Sequence, residues 1–247
     1  MNSQTKWLGA LATSLCLIFT SASANEAGRI RPFTAKYSVE NDYITAGVAY
    51  LSLLPDTNNN FDLTLRTKPK GVFKLSSKGS LREQAKMPSY NEPYNSFSYS
   101  YQDKGNRKRD YTTIFLRDTK KAKLLKAGKT QTITIDEPVT DRLSTMLVVM
   151  NELQQNNSFS AIDVQVLEHA KMRTMTFTNR GKETIKTAAG RFQAVRIHRG
   201  SPNSNRETVS WFAALPDKAA LAPVRIEQFK NGKLTLRLEL LEFSTVD

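Results

Sequence analysis

From Phe33 onward the chain alternates. Phe33, Ala35, Tyr37 and Val39 take every second position, and Phe61, Leu63 and Leu65 do the same against Asp62, Thr64 and Arg66. A period of two sends successive side chains to opposite faces of an extended strand, so each such run is a strand with one buried face. The pattern returns at residues 43–54, 71–85, 97–101, 111–117 and 122–127. It then recurs at residues 162–167, 173–178, 183–187, 192–198, 207–212, 224–229 and 233–240. Turn-forming residues separate most of these runs, at 55–60, 179–181, 188–190, 200–205 and 231–232. Many strands joined by hairpin-length turns predict a mainly β chain with a single antiparallel sheet. So many strands cannot stay flat, and the sheet is expected to curve and close into a barrel or half-barrel. Gly47, inside the second run, marks a bend or a bulge.

One segment breaks the period. Leu143, Met146, Leu147, Met150 and Leu153 are spaced by threes and fours, as on one face of a helix. The spacing predicts one principal α-helix over about 141–155. Asp141 is placed to cap it, Pro138 precedes it, and Asn156-Asn157 end it. A short second helix is expected at residues 216–221.

The run PVRIEQFKNGKLTLRLEL, residues 223–240, poses a register question. Asn231-Gly232 is a strong hairpin signal. A two-residue turn with a regular ladder mixes Arg225 and Glu227 with Leu234, Leu236 and Leu238 on one face. A three-residue loop, Lys230-Asn231-Gly232 with a bulge, places Ile226 opposite Leu236 and Val224 opposite Leu238. It leaves the charges on the other face. Burial selects register, because a one-residue slip exchanges the faces, so the bulged loop is the expectation.

The N-terminus sets the expected compartment. Lys6 precedes an apolar run over residues 7–19, and Ala22-Ser23-Ala24 fits a small-x-small cleavage site. That is the pattern of a secretory signal peptide, read as residues 1–24, cleaved after Ala24. The run falls short of the about 20 residues that span a bilayer. Cys16 lies inside it, behind Leu15 where a lipidation site needs a small residue, so residues 25–247 carry no cysteine. Disulfides, thiolate metal sites and a cysteine nucleophile are thereby excluded from the mature chain. It is read as a single all-β envelope domain, periplasmic, with no transmembrane span.

The chain is basic, with 36 Lys+Arg against 23 Asp+Glu and a formal charge of +13. For an exported protein the anionic partners at hand are lipid head groups and cell-wall polymers, not nucleic acid. The densest basic runs, residues 104–109 and 120–126, sit beside turns and read first as solvated loops.

Several short motifs follow one another along the chain: Tyr37 with Gly47, Asp141-Arg142-Leu143-Ser144 opening the helix, Gly190-Arg191-Phe192, Trp211 and Pro223-Val224-Arg225-Ile226-Glu227. In this order they resemble an exported bacterial family, domain of unknown function 3108. The resemblance implies a signal peptide followed by a barrel-like domain in the Gram-negative envelope, and no reaction. Arg142 stands where the family often has proline; proline at the first helical position is optional.

No catalytic constellation emerges. His169 and His198 lie on different strands with no metal-ligand spacing, and G-x-S-x-G and P-loop motifs are absent. Asp141 and Ser144 are explained by helix initiation. No cofactor or metal is implied, and the chain reads as a non-enzyme. Candidate ligand contacts are Tyr94 and Tyr99, in the aromatic cluster around the proline-rich loop at 86–96, with Trp211, Arg225 and Glu227. The plainer readings are cross-strand packing for the tyrosines, core packing for Trp211 and a surface charge ladder for the other two. Two functions remain. One is non-catalytic binding or carriage of a lipid or other apolar ligand with an anionic head group. The other is an envelope scaffold with a filled barrel that binds another component.

Overall fold

The computed structural model describes residues 30–41, 44–71, 80–156, 158–200, 204–215 and 220–246. The expected signal peptide and the residue at its cleavage site lie outside them. The first seven strands along the chain are β1 (Phe33–Asn41), β2 (Ile44–Pro55), β3 (Phe61–Pro69), β4 (Leu81–Met87), β5 (Ser98–Asp103), β6 (Tyr111–Leu116) and β7 (Lys121–Lys126). After β8 (Lys129–Thr134) comes the helix α1 (Thr145–Gln155), then β9 (Ala161–Glu168) and β10 (Lys171–Thr187). The last four are β11 (Gly190–Gly200), β12 (Arg206–Leu215), β13 (Ala220–Lys230) and β14 (Lys233–Thr245).

All fourteen form one sheet in which, apart from β8 and β9, strands adjacent in sequence pair antiparallel. The first and last strands also pair, Phe33 opposite Thr245 and Tyr37 opposite Leu240. That contact leaves β8 and β9 as the two edges. The sheet is curled and not closed. The connection between its edges carries α1 onto the concave face, where Leu147, Val149, Met150 and Leu153 are buried against Phe33, Tyr37, Leu53, Leu63 and Met87. Near the C-terminal end of α1, Gln154 Oε1 accepts from the Ile30 amide at 2.8 Å, and Asn151 Nδ2 donates to the carbonyl oxygens of Tyr90 and Asn91. The helix therefore fills the end of the sheet where the chain passes from β4 to β5. The other end is the one where β5–β6, β7–β8, β9–β10 and β13–β14 turn.

Two expectations are corrected. Residues 179–181 are a bulge inside the continuous β10, not a turn: pairing slips between Asn179 and Lys182, and Gly181 takes φ +86°. The helix expected over about 141–155 is present, with a tight turn over 142–144 leading into it at Thr145. In the last hairpin the turn has two residues, with Lys230 opposite Lys233 and both Asn231 and Gly232 at positive φ, as a type I′ turn demands. The register shift comes later, between Gln228 and Phe229. Beyond it Ile226 faces Leu238, Glu227 faces Arg237 and Arg225 faces Glu239. The separation of apolar and charged faces is achieved, by a bulge within the strands instead of one in the loop. The helical turn expected at 216–221 falls partly outside the described residues, and Ala220 and Leu221 open β13.

Candidate functional site

Side chains at alternate positions of the strands converge inside the curl. Leu51 and Leu65 come from β2 and β3, Phe177 and Ile197 from β10 and β11, and Phe212, Ile226 and Leu238 from β12 to β14. They face Met146 and Val149 of α1 across a cavity of about 150 Å³. Its walls are mainly apolar, and its size suits a group about as large as benzene. Nothing of this lining is out of the ordinary for a core. The polar residues at its edge are.

Glu83, on the inner face of β4, is 2% exposed. It accepts from Tyr99 Oη at 2.6 Å and from Arg142 Nε at 3.2 Å, and Arg142 Nη2 reaches its other oxygen. Arg142 also lies over the Tyr101 ring, which stacks on Tyr111, and Tyr111 meets the His169 ring at 4.2 Å. Burial, and next the Glu83 carboxylate, hold the Tyr99 phenol well above its usual range. Burial pushes Tyr111 up to about 12. Burial also lowers the His169 pKa, with Lys126 adding to the effect.

Across the cavity stands Arg199, from β11. Its Nη2 donates to Thr208 Oγ1 at 2.8 Å and its Nη1 approaches Met175 Sδ at 3.5 Å. Both partners are neutral. Burial first, then the nearby Arg142, draws Arg199 below the usual arginine range, while Glu168 and Glu83 act against this. Arg142 and Arg199 border both the cavity and a larger cleft of about 840 Å³ at the unfilled end of the sheet. That cleft also carries Arg173, Arg206 and Lys230, against Glu168 and Glu207. Arg173 pairs with Glu168 at 3.5 Å, and Glu207 meets His198 at 3.3 Å. The arrangement is an apolar pocket beneath a cationic mouth.

The residues singled out in the sequence are dispersed. Tyr99 reaches the site, as the partner of Glu83. Tyr94 lies in a separate surface cleft between the 91–95 turn, α1 and β9. Trp211 is buried, yet on the outer face, because Thr208, Ser210 and Phe212 take the inner one. Arg196 and Arg225 lie over its indole ring, each 5.8 Å from its centre, and its Nε1 donates to Glu183. Arg225 and Glu227 belong to an outer ladder in which Arg237 bonds Glu227 at 2.8 Å and Glu40 at 3.3 Å, and Arg225 pairs with Glu239. The ladder therefore lies outside the lumen, away from the cavity. Asp141, expected to cap the helix, closes the turn that precedes it: its Oδ1 accepts from the amides of Leu143 and Ser144 at 2.9 and 2.8 Å, and Ser144, at the N-cap of α1, makes no side-chain cap bond.

Glu83, Arg142 and Arg199 were not singled out as site residues. An arginine at an alternating position looks the same in sequence whichever face it takes. Among the described residues no group of three or more His, Cys, Asp and Glu could hold a metal ion, and no helix is long and apolar enough to cross a membrane.

The sequence pattern of the family "Protein of unknown function (DUF3108)" matches residues 33–239. No curated protein matches the chain in sequence. In fold, the chain is similar to a beta-barrel-like protein of domain of unknown function DUF1849 from Brucella abortus. The TM-score is 0.51 at 8% identity, over 89% of this chain and 100% of that one. A weaker similarity, TM-score 0.36 at 12% identity, is to the Pseudomonas aeruginosa MucA/MucB complex, over 90% of this chain and 54% of that one.

Proposed function

The chain belongs to the DUF3108 family, whose function is unknown, and we propose that it is a non-catalytic binding protein of the cell envelope. It takes the apolar part of a ligand into the pocket between α1 and the inner face of the sheet. The observation that carries this reading is the pocket itself: an apolar cavity of about 150 Å³ that communicates with one end of the sheet past polar side chains. Binding sites commonly combine apolar walls with a few polar groups at fixed positions. Export is supported by Lys6, the apolar run at 7–19 and Ala22-Ser23-Ala24. Tyr99 contributes by holding Glu83, and through it Arg142, at the rim.

The test is saturation-transfer NMR with toluene as a neutral probe, together with native mass spectrometry after detergent-free purification. Toluene should bind the protein and lose binding in Ile226→Phe, which fills the cavity. A protein that purifies without ligand and ignores toluene would exclude the reading. A scaffold function has its own support, since α1 packs its apolar residues into the core inside the curl. It predicts that Ile226→Phe leaves every binding property intact.

A further inference from the structure

Resting on the reading of the cavity as a binding site, we infer that its ligand carries a single carboxylate, which Arg199 receives at the mouth, behind a compact apolar body. The other cations near the pocket are distinguishable by their partners. Arg142 is engaged with Glu83, and Arg173 with Glu168. Among the described residues no carboxylate lies within ion-pair distance of Arg199. Its two contacts, Thr208 Oγ1 and Met175 Sδ, are neutral and engage two of the five N–H donors of a guanidinium. Arg199 is half-buried, and its guanidinium borders both the apolar cavity and the cleft with its fork-shaped donor set incompletely used.

The chemistry of the group that fits follows from this. A planar guanidinium matches a carboxylate in two parallel hydrogen bonds. Of the two cations that line the cavity itself, Arg142 is balanced by Glu83, so Arg199 alone is left to match one negative charge there; Arg206 and Lys230 line the cleft and not the cavity. Thr208 holds Nη2 in place, so the guanidinium is oriented before the ligand arrives. The apolar body extends from the carboxylate toward Phe212, Ile226 and Val149, and the size of the cavity limits it to a short alkyl chain or one aromatic ring. This is narrower than a two-chain lipid.

Isothermal titration calorimetry with hexanoate and with hexan-1-ol separates the parts of the inference. Wild-type protein should bind hexanoate about tenfold or more tighter than the alcohol, the ratio a charge-assisted bond provides. Arg199→Met, with circular dichroism to confirm folding, should bring the two ligands to equal affinity. Arg199→Lys should keep part of the preference, and Thr208→Val, which leaves the charge in place, should reduce it. If the alcohol binds as well as hexanoate, or Arg199→Met keeps the preference, the carboxylate site is refuted while the cavity reading stands. If neither ligand binds wild type, both fall.

Discussion

Asp141 is fully buried, and its carboxylate accepts from four donors. Two are the amides of Leu143 and Ser144, and two are the hydroxyls of Ser144 and Ser96 at 2.7 and 3.0 Å. It thus closes the turn that leads into the helix and ties that turn to the loop before β5. Asp141→Ala removes the acceptor for two amides and should cost about 1–2 kcal/mol. Asp141→Asn keeps an acceptor oxygen for the amides and should cost less. The pair also reports on charge. Burial raises the Asp141 pKa, and the bonds from Ser144, Ser96 and Leu143 oppose the shift without cancelling it. A raised folded-state pKa means that the folded protein holds this proton more tightly than the unfolded chain does. The resulting stabilisation is complete below the unfolded value of about 3.9 and is lost as pH rises through the folded value. Between about pH 4 and neutrality the wild type should therefore lose stability relative to Asp141→Asn, which does not titrate there. Urea denaturation across that range measures the difference, and parallel profiles would contradict the assignment.

At the level of strands and turns, two glycines do different work. Gly232 sits at φ +72° in the type I′ turn, and a Cβ there would meet nothing within 4 Å. Gly232→Ala should cost about 1 kcal/mol, all of it conformational. Gly47 lies where β2 is bulged against β1 and pressed against β3. A Cβ would stand 2.3 Å from the Lys68 carbonyl oxygen and 3.0 Å from Pro69 Cα, both backbone atoms. Two strands must part to admit it, so Gly47→Ala should cost more, about 3 kcal/mol. Urea midpoints rank the two variants, and the reverse order would show that β3 yields easily. The same elements show what a sequence carries. Strands with one apolar face were legible through their period, and so was α1 through its change of period. The edge strand β8, KTQTIT, was not, because its residues are largely exposed and no alternation is imposed on them. Asn179-Arg180-Gly181 reads alike as a turn or a bulge, since both need a residue at positive φ. The site depended on those bulges. Each one decides which residues of its strand face inward, so Arg199 and Trp211 could be assigned to faces only once the register was known.

For the whole molecule the decisive feature is the unclosed seam between β8 and β9. The segment after β8 covers the β9 edge at one point: the Thr140 amide donates to the Gln165 carbonyl oxygen, and the Leu167 amide to that of Thr140, both at 2.9 Å. Arg117 fastens this strap from the other side. Its Nη1 donates to the Val139 carbonyl oxygen and its Nη2 to that of Ser96, each at 3.0 Å, while its guanidinium lies 4.4 Å from the centre of the Phe115 ring. Thr140 Oγ1 adds a bond to the Pro93 carbonyl oxygen at 2.6 Å. One side chain therefore joins β6, the loop before β5 and the strap that leads into α1. Since α1 forms one wall of the cavity, the seam and the pocket are mechanically linked. Arg117→Met keeps much of the apolar stem but leaves two carbonyl oxygens without their donor, a loss of about 2 kcal/mol. If that loss is local, hydrogen exchange should quicken first at the Thr140 and Leu167 amides and then along α1, while β12 to β14 keep their protection. If exchange quickens uniformly, the sheet opens as one unit and the strap is no separate element. If Thr140 and Leu167 stay protected, the β9 edge is held without Arg117, and the route proposed here from seam to cavity does not exist.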